Sequence, residues 1–435
     1  MANEYALSYS PPRAVERNLL PVLGFILLLL LIFVGLDAFS PPPLVVQFGG
    51  VQEASRGDVI RQIAYLGVAA MIALAAIQRF GLGALRALPV SMVLLLAWCL
   101  ASALWAPESN VVLRRAGLEV VVVVSLMLSV ETIGPPRAFA IWRWLLALVL
   151  LVNFLSIPLI ATARHAAGEI DPALVGNWRG LYGHKNIAGA VCAITAILFL
   201  FTRNGWRNWM GILIAAAACI FLAMTHSKSS AGFLVIALLA GVLYRIGWRD
   251  GLSRAVLATF VALFAAGLIA FALIDADSIA RALEDPTEFT GRSEIWAAEL
   301  RYIADHPLLG SGFGTFTDTR TQSPLHNYVS GSWVDAVSHG HNGYLQVFVT
   351  IGGIGFVLAM VALLAAPVRR FWTLDWEESA FKPMLLALFV FAILHNFMES
   401  DFLEGDGVTW AALLLVIAAL NCAAATRGRH LLTGR

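Results

Sequence analysis

Apolar runs of about twenty residues follow one another along almost the whole chain, and this constrains its fold more than any single motif. A helix needs roughly 20 such residues to cross the hydrocarbon core of a bilayer. Within a membrane, backbone polar groups must be satisfied internally, which leaves helices as the spanning element for runs of this length. Of the 435 residues 59% are hydrophobic and only 13% charged, about half the charge of a soluble domain. A formal charge of +1 argues against a nucleic-acid partner, which would call for a concentrated basic surface. Cys99, Cys192, Cys219 and Cys422 all fall inside apolar runs. With no CxxC spacing they read as small apolar fillers of helices.

The chain is therefore expected to be an all-α polytopic membrane protein of about twelve transmembrane helices. Hydropathy places spans near Leu19–Leu36, Val59–Ile77, Leu88–Leu104, Gly117–Val130, Phe139–Ala161 and Ile187–Phe201. Further spans fall near Trp209–Thr225, Ala231–Ile246, Ala255–Ile274, Asn342–Ala366, Pro383–Leu394 and Val408–Ala425. The first run has no small-residue cleavage site before Pro41-Pro42-Pro43 and is read as a retained span. Three regions follow: a membrane bundle over 1–274 with about nine spans, a large outer loop over 275–340, and about three C-terminal spans over 341–435.

Lys and Arg in short loops set orientation. Arg79/Arg86, Arg137/Arg143, Arg203/Arg207, Arg245/Arg249/Arg254, Arg369/Arg370/Lys382 and the tail with Arg427, Arg429 and Arg435 fall on one side, as does Arg13/Arg17. That side reads as cytoplasmic, with both termini there. Eight of the nine histidines lie on the opposite face. The loop 275–340 lies there as well, and loops of that length tend to be functional. Thr290 is its candidate N-cap, and Ile295, Trp296, Leu300 and Ile303 form one apolar stripe. This predicts one or two short amphipathic helices against the bundle mouth, the first ended by His306-Pro307 and Gly310.

Four outer stretches place ionisable groups at span ends, where such groups are functional candidates. Arg179-Gly180-Leu181-Tyr182-Gly183-His184-Lys185-Asn186 leads into a helix N-terminus that favours an anion, a phosphate or diphosphate above all. It reads equally as a loop whose cations serve helix-end carbonyls. His226-Ser227-Lys228-Ser229-Ser230 is a hydroxyl-rich turn, weak evidence alone. Arg292, in Thr290-Gly291-Arg292-Ser293-Glu294, can present a guanidinium fork to a phosphate, or it can pair with Glu294 or Glu288. Ser338-His339-Gly340-His341-Asn342-Gly343 offers a His-x-His pair. Two ligands are too few for zinc, whereas a histidine at a helix start suits proton acceptance from a hydroxyl. In a fifth stretch, His395 to Asp401, Glu399 and Asp401 either orient a histidine, bind an acceptor sugar or stay solvated.

Taken in order, Arg179-Gly-x-x-Gly-His-Lys-Asn, Ser227-Lys-Ser229, Thr290-Gly-Arg-x-x-Ile-Trp with Pro307-Leu-Leu-Gly-x-Gly-Phe-Gly, and His341-Asn-Gly-Tyr-Leu resemble one superfamily. It comprises bacterial O-antigen ligases and related repeat-unit polymerases, exopolysaccharide polymerases included. Ser102-Ala-Leu-Trp-Ala-Pro107 with Arg114-Arg115 extends the likeness to roughly residues 100–400. The resemblance implies a metal-independent, cofactor-free, inverting glycosyltransferase of the bacterial inner membrane, working at the periplasmic face. Its donor would be a glycan on undecaprenyl diphosphate, its acceptor a sugar hydroxyl on a glycan or on lipid A core. Membrane lipid and a chain-length regulator protein are its further expected partners. Carried over, Arg179 and Arg292 would hold the donor diphosphate and His341 would deprotonate the acceptor. Lys185, Lys228, His184, His339, Asn342 and Glu399 would line the substrate site. A repeat-unit polymerase is the first reading and an O-antigen ligase the second. A transporter of lipid-linked oligosaccharide is the rival from another class, disfavoured because the halves show no repeat and the polar residues sit at span ends.

Overall fold

The computed structural model describes residues 19–40, 56–166, 174–201, 209–247, 292–317, 323–329, 340–374 and 381–433. Over these the chain is helical, with no strand and one isolated bridge between Arg164 and Trp178. The helices are α1 (Leu20–Phe33), α2 (Arg56–Phe80), α3 (Val90–Ala101), α4 (Ser109–Ile133), α5 (Pro135–Leu159), α6 (Lys185–Leu200) and α7 (Trp209–Thr225). There follow α8 (Lys228–Gly247), α9 (Arg292–Asp305), α10 (Gly343–Met360), α11 (Ala366–Thr373), α12 (Phe381–His395) and α13 (Val408–Thr433). Among the described residues six stretches are long and apolar enough to cross a membrane: Val59–Ala87, Ser109–Ile133, Pro135–Leu159, Lys228–Ile246, Gly343–Thr373 and Val408–Ala425. Five shorter apolar helices, α1, α3, α6, α7 and α12, accompany them. The expected span Ala255–Ile274 lies outside the described residues.

Helices α4 and α13 form the buried centre, with α4 packed on α2 and α13, and α12 on α8 and α13. Outer helices turn apolar side chains outward, Leu66 and Leu74 on α2, Leu151 and Leu155 on α5, Leu239 and Ile246 on α8. Such a surface is costly in water and suits lipid. Glu119 of α4 is fully buried and accepts from Trp410 Nε1 (2.7 Å) and from the Gly405 amide (2.9 Å). This ties the loop between α12 and α13 to the central helix.

Several boundaries differ from the hydropathy reading, among them the end of α13 at Thr433 instead of Ala425. α4 begins at Ser109 instead of Gly117, so Arg114 and Arg115 are helical. α10 continues through a π-helical turn at Val361–Ala365 into α11 and ends at Thr373 instead of Ala366. Pro367 sits near the start of α11, where the turn has already broken the regular bonding and a missing N–H costs little.

α10 is kinked at Gly352, whose φ of 67° lies in the left-handed region. The segment Pro307–Gly312 crosses α10 there. Ser311 and Gly312 donate amides to the carbonyls of Val349 (2.9 Å) and Thr350 (2.8 Å), and Gly353 donates to Pro307 (2.9 Å). A Cβ at Gly352 would run into the backbone of Leu308 and Leu309, so only glycine meets both demands. The Pro-Leu-Leu-Gly-x-Gly-Phe-Gly stretch is thus a backbone clip on a broken helix.

The loop residues segregate to two ends of the bundle. At one, Arg86 pairs with Glu131, while Arg370 and the Arg86 carbonyl both bond Asn421. At the other lie His184, Ser230, His341, His395 and Glu399, linked as described next.

Candidate functional site

Glu399, in the loop after α12, joins elements far apart in sequence. Its Oε1 accepts from Arg292 Nη2 (2.8 Å) and from Asn186 Nδ2 (2.6 Å), and its Oε2 lies 3.2 Å from His341 Nδ1. The Glu399 side chain is 12% exposed, Arg292 15% and His341 25%. Burial alone would raise the Glu399 pKa, but the His341 hydrogen bond and charge, then the charges of Arg292 and His395, hold it well below the usual carboxylate range. Glu399 is therefore an acceptor only, so His341 Nδ1 carries the proton. Glu399 thereby orients the ring so that its Nε2 can serve as a base, as a carboxylate orients a catalytic imidazole.

Local sequence explains the placement. Arg292 opens α9. Asn342 caps α10, its Oδ1 accepting from the amides of Tyr344 (3.0 Å) and Leu345 (3.1 Å), a preferred capping chemistry. Gly343 donates its amide to the carbonyls of Asn396 (2.8 Å) and Glu399 (3.0 Å), and a Cβ there would collide with the Asn396 side chain. The start of α10 and the Glu399 loop are thereby locked together. His341, one residue before the cap, has φ 53°. That backbone is strained for a non-glycine residue and is found disproportionately at functional sites.

The Arg179–Asn186 stretch plays a different part from the one its charges suggested. Arg179 is fully buried, and its guanidinium donates to the carbonyls of Thr162 (2.6 Å), Gly183 (3.0 Å) and Ser40 (3.2 Å). In this structure the guanidinium is directed at loop carbonyls. His184 caps α6 by accepting from the Asn186 amide through Nδ1 (3.2 Å). Burial, with the nearby charges of His165, His341 and Lys185 acting alongside, outweighs Glu399 and lowers its pKa to about 4, so His184 is neutral near pH 7. Lys185 donates its amide to His165 Nε2 (3.2 Å). Lys228 is exposed at the start of α8, where the structure does not bring it to Glu399. His339, with Thr290 and Gly291, lies outside the described residues.

A second imidazole–carboxylate pair sits beside the first. His395 at the end of α12 has Nδ1 2.7 Å from Asp401 Oδ2 and Nε2 3.1 Å from Ser230 Oγ, which accepts in turn from Ser227 (3.0 Å). Asn186, His395 and Ser230 were not singled out individually by the sequence. Asn186 stood within a quoted motif, and the carboxylates six and four residues after His395 were a usable signal. Glu399 and Asp401 each orient a histidine.

These parts adjoin a groove of about 390 Å³ between α1, α2, α6 and the α12–α13 loop, with Asn186, Glu399, His395 and Asp401 in its wall. Chemically the site offers a guanidinium for an anion, a base for a hydroxyl, and a polar groove leading away. Comparison with curated proteins returns no match. The family model described as O-antigen ligase matches residues 210–360, roughly a third of the chain. That stretch, which contains both Arg292 and His341, is similar to the O-antigen ligase family.

Proposed function

We propose that this protein is an inner-membrane glycosyltransferase that polymerises a surface polysaccharide, taking the donor glycan from undecaprenyl diphosphate at the periplasmic face. The Arg292–Glu399–His341 cluster carries this reading. Arg292 would neutralise the charge that develops on the departing diphosphate, stabilising the transition state more than the ground state. His341, held by Glu399, would take the proton of the acceptor hydroxyl as it attacks the anomeric carbon from the face opposite the diphosphate, which inverts that carbon. Arg179 would brace the loop that presents Asn186 to Glu399. The chemistry proposed is metal-independent. We further propose twelve spans, with Ala255–Ile274 the one beyond the eleven apolar helices described, and both termini in the cytoplasm.

The family description itself favours a second reading, an O-antigen ligase passing the finished glycan to lipid A core. Donor chemistry is the same, and only the acceptor differs. A strain lacking the gene, complemented with wild type, Arg292→Ala or His341→Ala at equal protein level, separates them by gel profiles of lipid-linked intermediates. Single repeat units accumulating on the carrier mean polymerase. Long chains accumulating on the carrier, with none on lipid A core, mean ligase. Normal glycan from both variants rejects the site.

A further inference from the structure

The groove beside Glu399 has a chemistry of its own. Five carboxylates line it, Asp37, Glu399, Asp401, Glu404 and Asp406, against one guanidinium in its wall, that of Arg61. Arg61 pairs with Asp406, whose other oxygen accepts from Tyr65 Oη at 2.7 Å. The carboxylates of Asp37 and Glu404 make no hydrogen bond among the described residues. Thr409, also in the wall, is 1% exposed, and its hydroxyl has no partner. A buried hydroxyl left unbonded costs stability unless something fills its place. Apolar side chains at the end of α1 and just after it, Leu31, Ile32 and Val34, line the groove as well.

Such a groove repels phosphate, so it complements the Arg292 side of Glu399 instead of repeating it. Ionised carboxylates are acceptors only and suit hydroxyl or ammonium donors. The apolar side chains suit the C–H face of a pyranose ring. Resting on the glycosyltransferase reading above, we propose that this groove is the glycan-binding subsite and that it selects chains of neutral or amino sugars over chains bearing carboxylates. The sugar next to the reacting bond lies at Glu399, and the chain runs toward Asp406 and Thr409.

The test uses the full-length protein in lipid nanodiscs and calorimetric titration with three oligosaccharides of matched length, of glucosamine, N-acetylglucosamine and galacturonate. The first two should bind, with galacturonate at least about tenfold weaker. Asp37→Asn and Glu404→Gln, both at exposed positions, should each narrow that gap. Thr409→Val should weaken the neutral oligomer about fivefold. Galacturonate binding as tightly as the others, or a gap unmoved by either charge variant, overturns the proposal. So does displacement of the sugars by undecaprenyl phosphate at equal concentration, which would make the groove a lipid site. If selectivity fails while Arg292→Ala and His341→Ala still abolish polymer, the groove assignment falls and the reaction stands. Selectivity present with both variants fully active retains the groove and removes the reaction.

Discussion

Glu399 holds three partners 58, 107 and 213 residues away in sequence, and it shows what a single carboxylate can organise. Removing one member of such a part-buried ion pair leaves the other uncompensated, typically at about 3 kcal/mol or more. Glu399→Ala should therefore lower the melting temperature by several degrees, and adding Arg292→Ala should cost much less than the sum of the singles, read by a double-mutant thermal series. Glu299, on α9 outside the candidate spans, is the opposite case. It is fully buried, neither carboxylate oxygen has a partner among the described residues, and burial raises its pKa. In the unfolded chain it ionises near pH 4.3, while in the folded chain it keeps its proton to higher pH. Folding thus takes up a proton, and the stability present below pH 4.3 is lost as pH rises toward the folded value. Glu299→Gln should raise the melting temperature at pH 8 by roughly 2 °C or more and less at pH 5. The sequence displayed every one of these residue types. It could not show that Arg179 faces carbonyls or that Glu399 reaches Arg292, because both facts depend on contacts between distant loops.

At the scale of elements, period and length were enough to place eleven apolar helices, since a run of apolar residues reports burial or lipid directly. The helix over Arg292–Asp305 was also legible, from its stripe and from His306-Pro307. The kink at Gly352 was not, because its cause is a crossing segment some forty residues earlier. Likewise α4 starts ahead of its apolar run, and in that early part Arg115 bonds the Gly314 carbonyl, a partner that hydropathy cannot see. Gly352→Ala should combine left-handed strain of about 1–2 kcal/mol with the clash against Leu308. It should lower the melting temperature and open the Pro307–Gly312 segment to limited proteolysis. Asn342→Ala, which removes the α10 cap, should cost about 1 kcal/mol in the same melting assay and leave that segment protected.

For the whole molecule, polar chemistry collects at one end and the Arg86–Glu131–Arg370–Asn421 cluster at the other. In the proposed topology the latter end, rich in loop arginines, faces the cytoplasm. Leu82 and Leu104 are both highly exposed and lie beyond opposite ends of α3. In a cysteine-free background, Leu104→Cys should react with a membrane-impermeant maleimide in intact spheroplasts, and Leu82→Cys only after permeabilisation. The reverse pattern would invert the topology and with it the side on which the reaction is placed.

In the proposed reaction Arg292, Glu399 and His341 act together in transfer from a lipid diphosphate. The most direct measurement is the rate of glycan transfer by purified protein from an undecaprenyl-diphosphate-linked donor, in the presence of EDTA, for wild type and for His341→Ala, Arg292→Ala and Glu399→Ala. The account predicts turnover by the wild type despite the chelator and a loss of about a hundredfold or more in each correctly folded variant. Near wild-type turnover by any of the three, or loss of wild-type activity to EDTA, would contradict it.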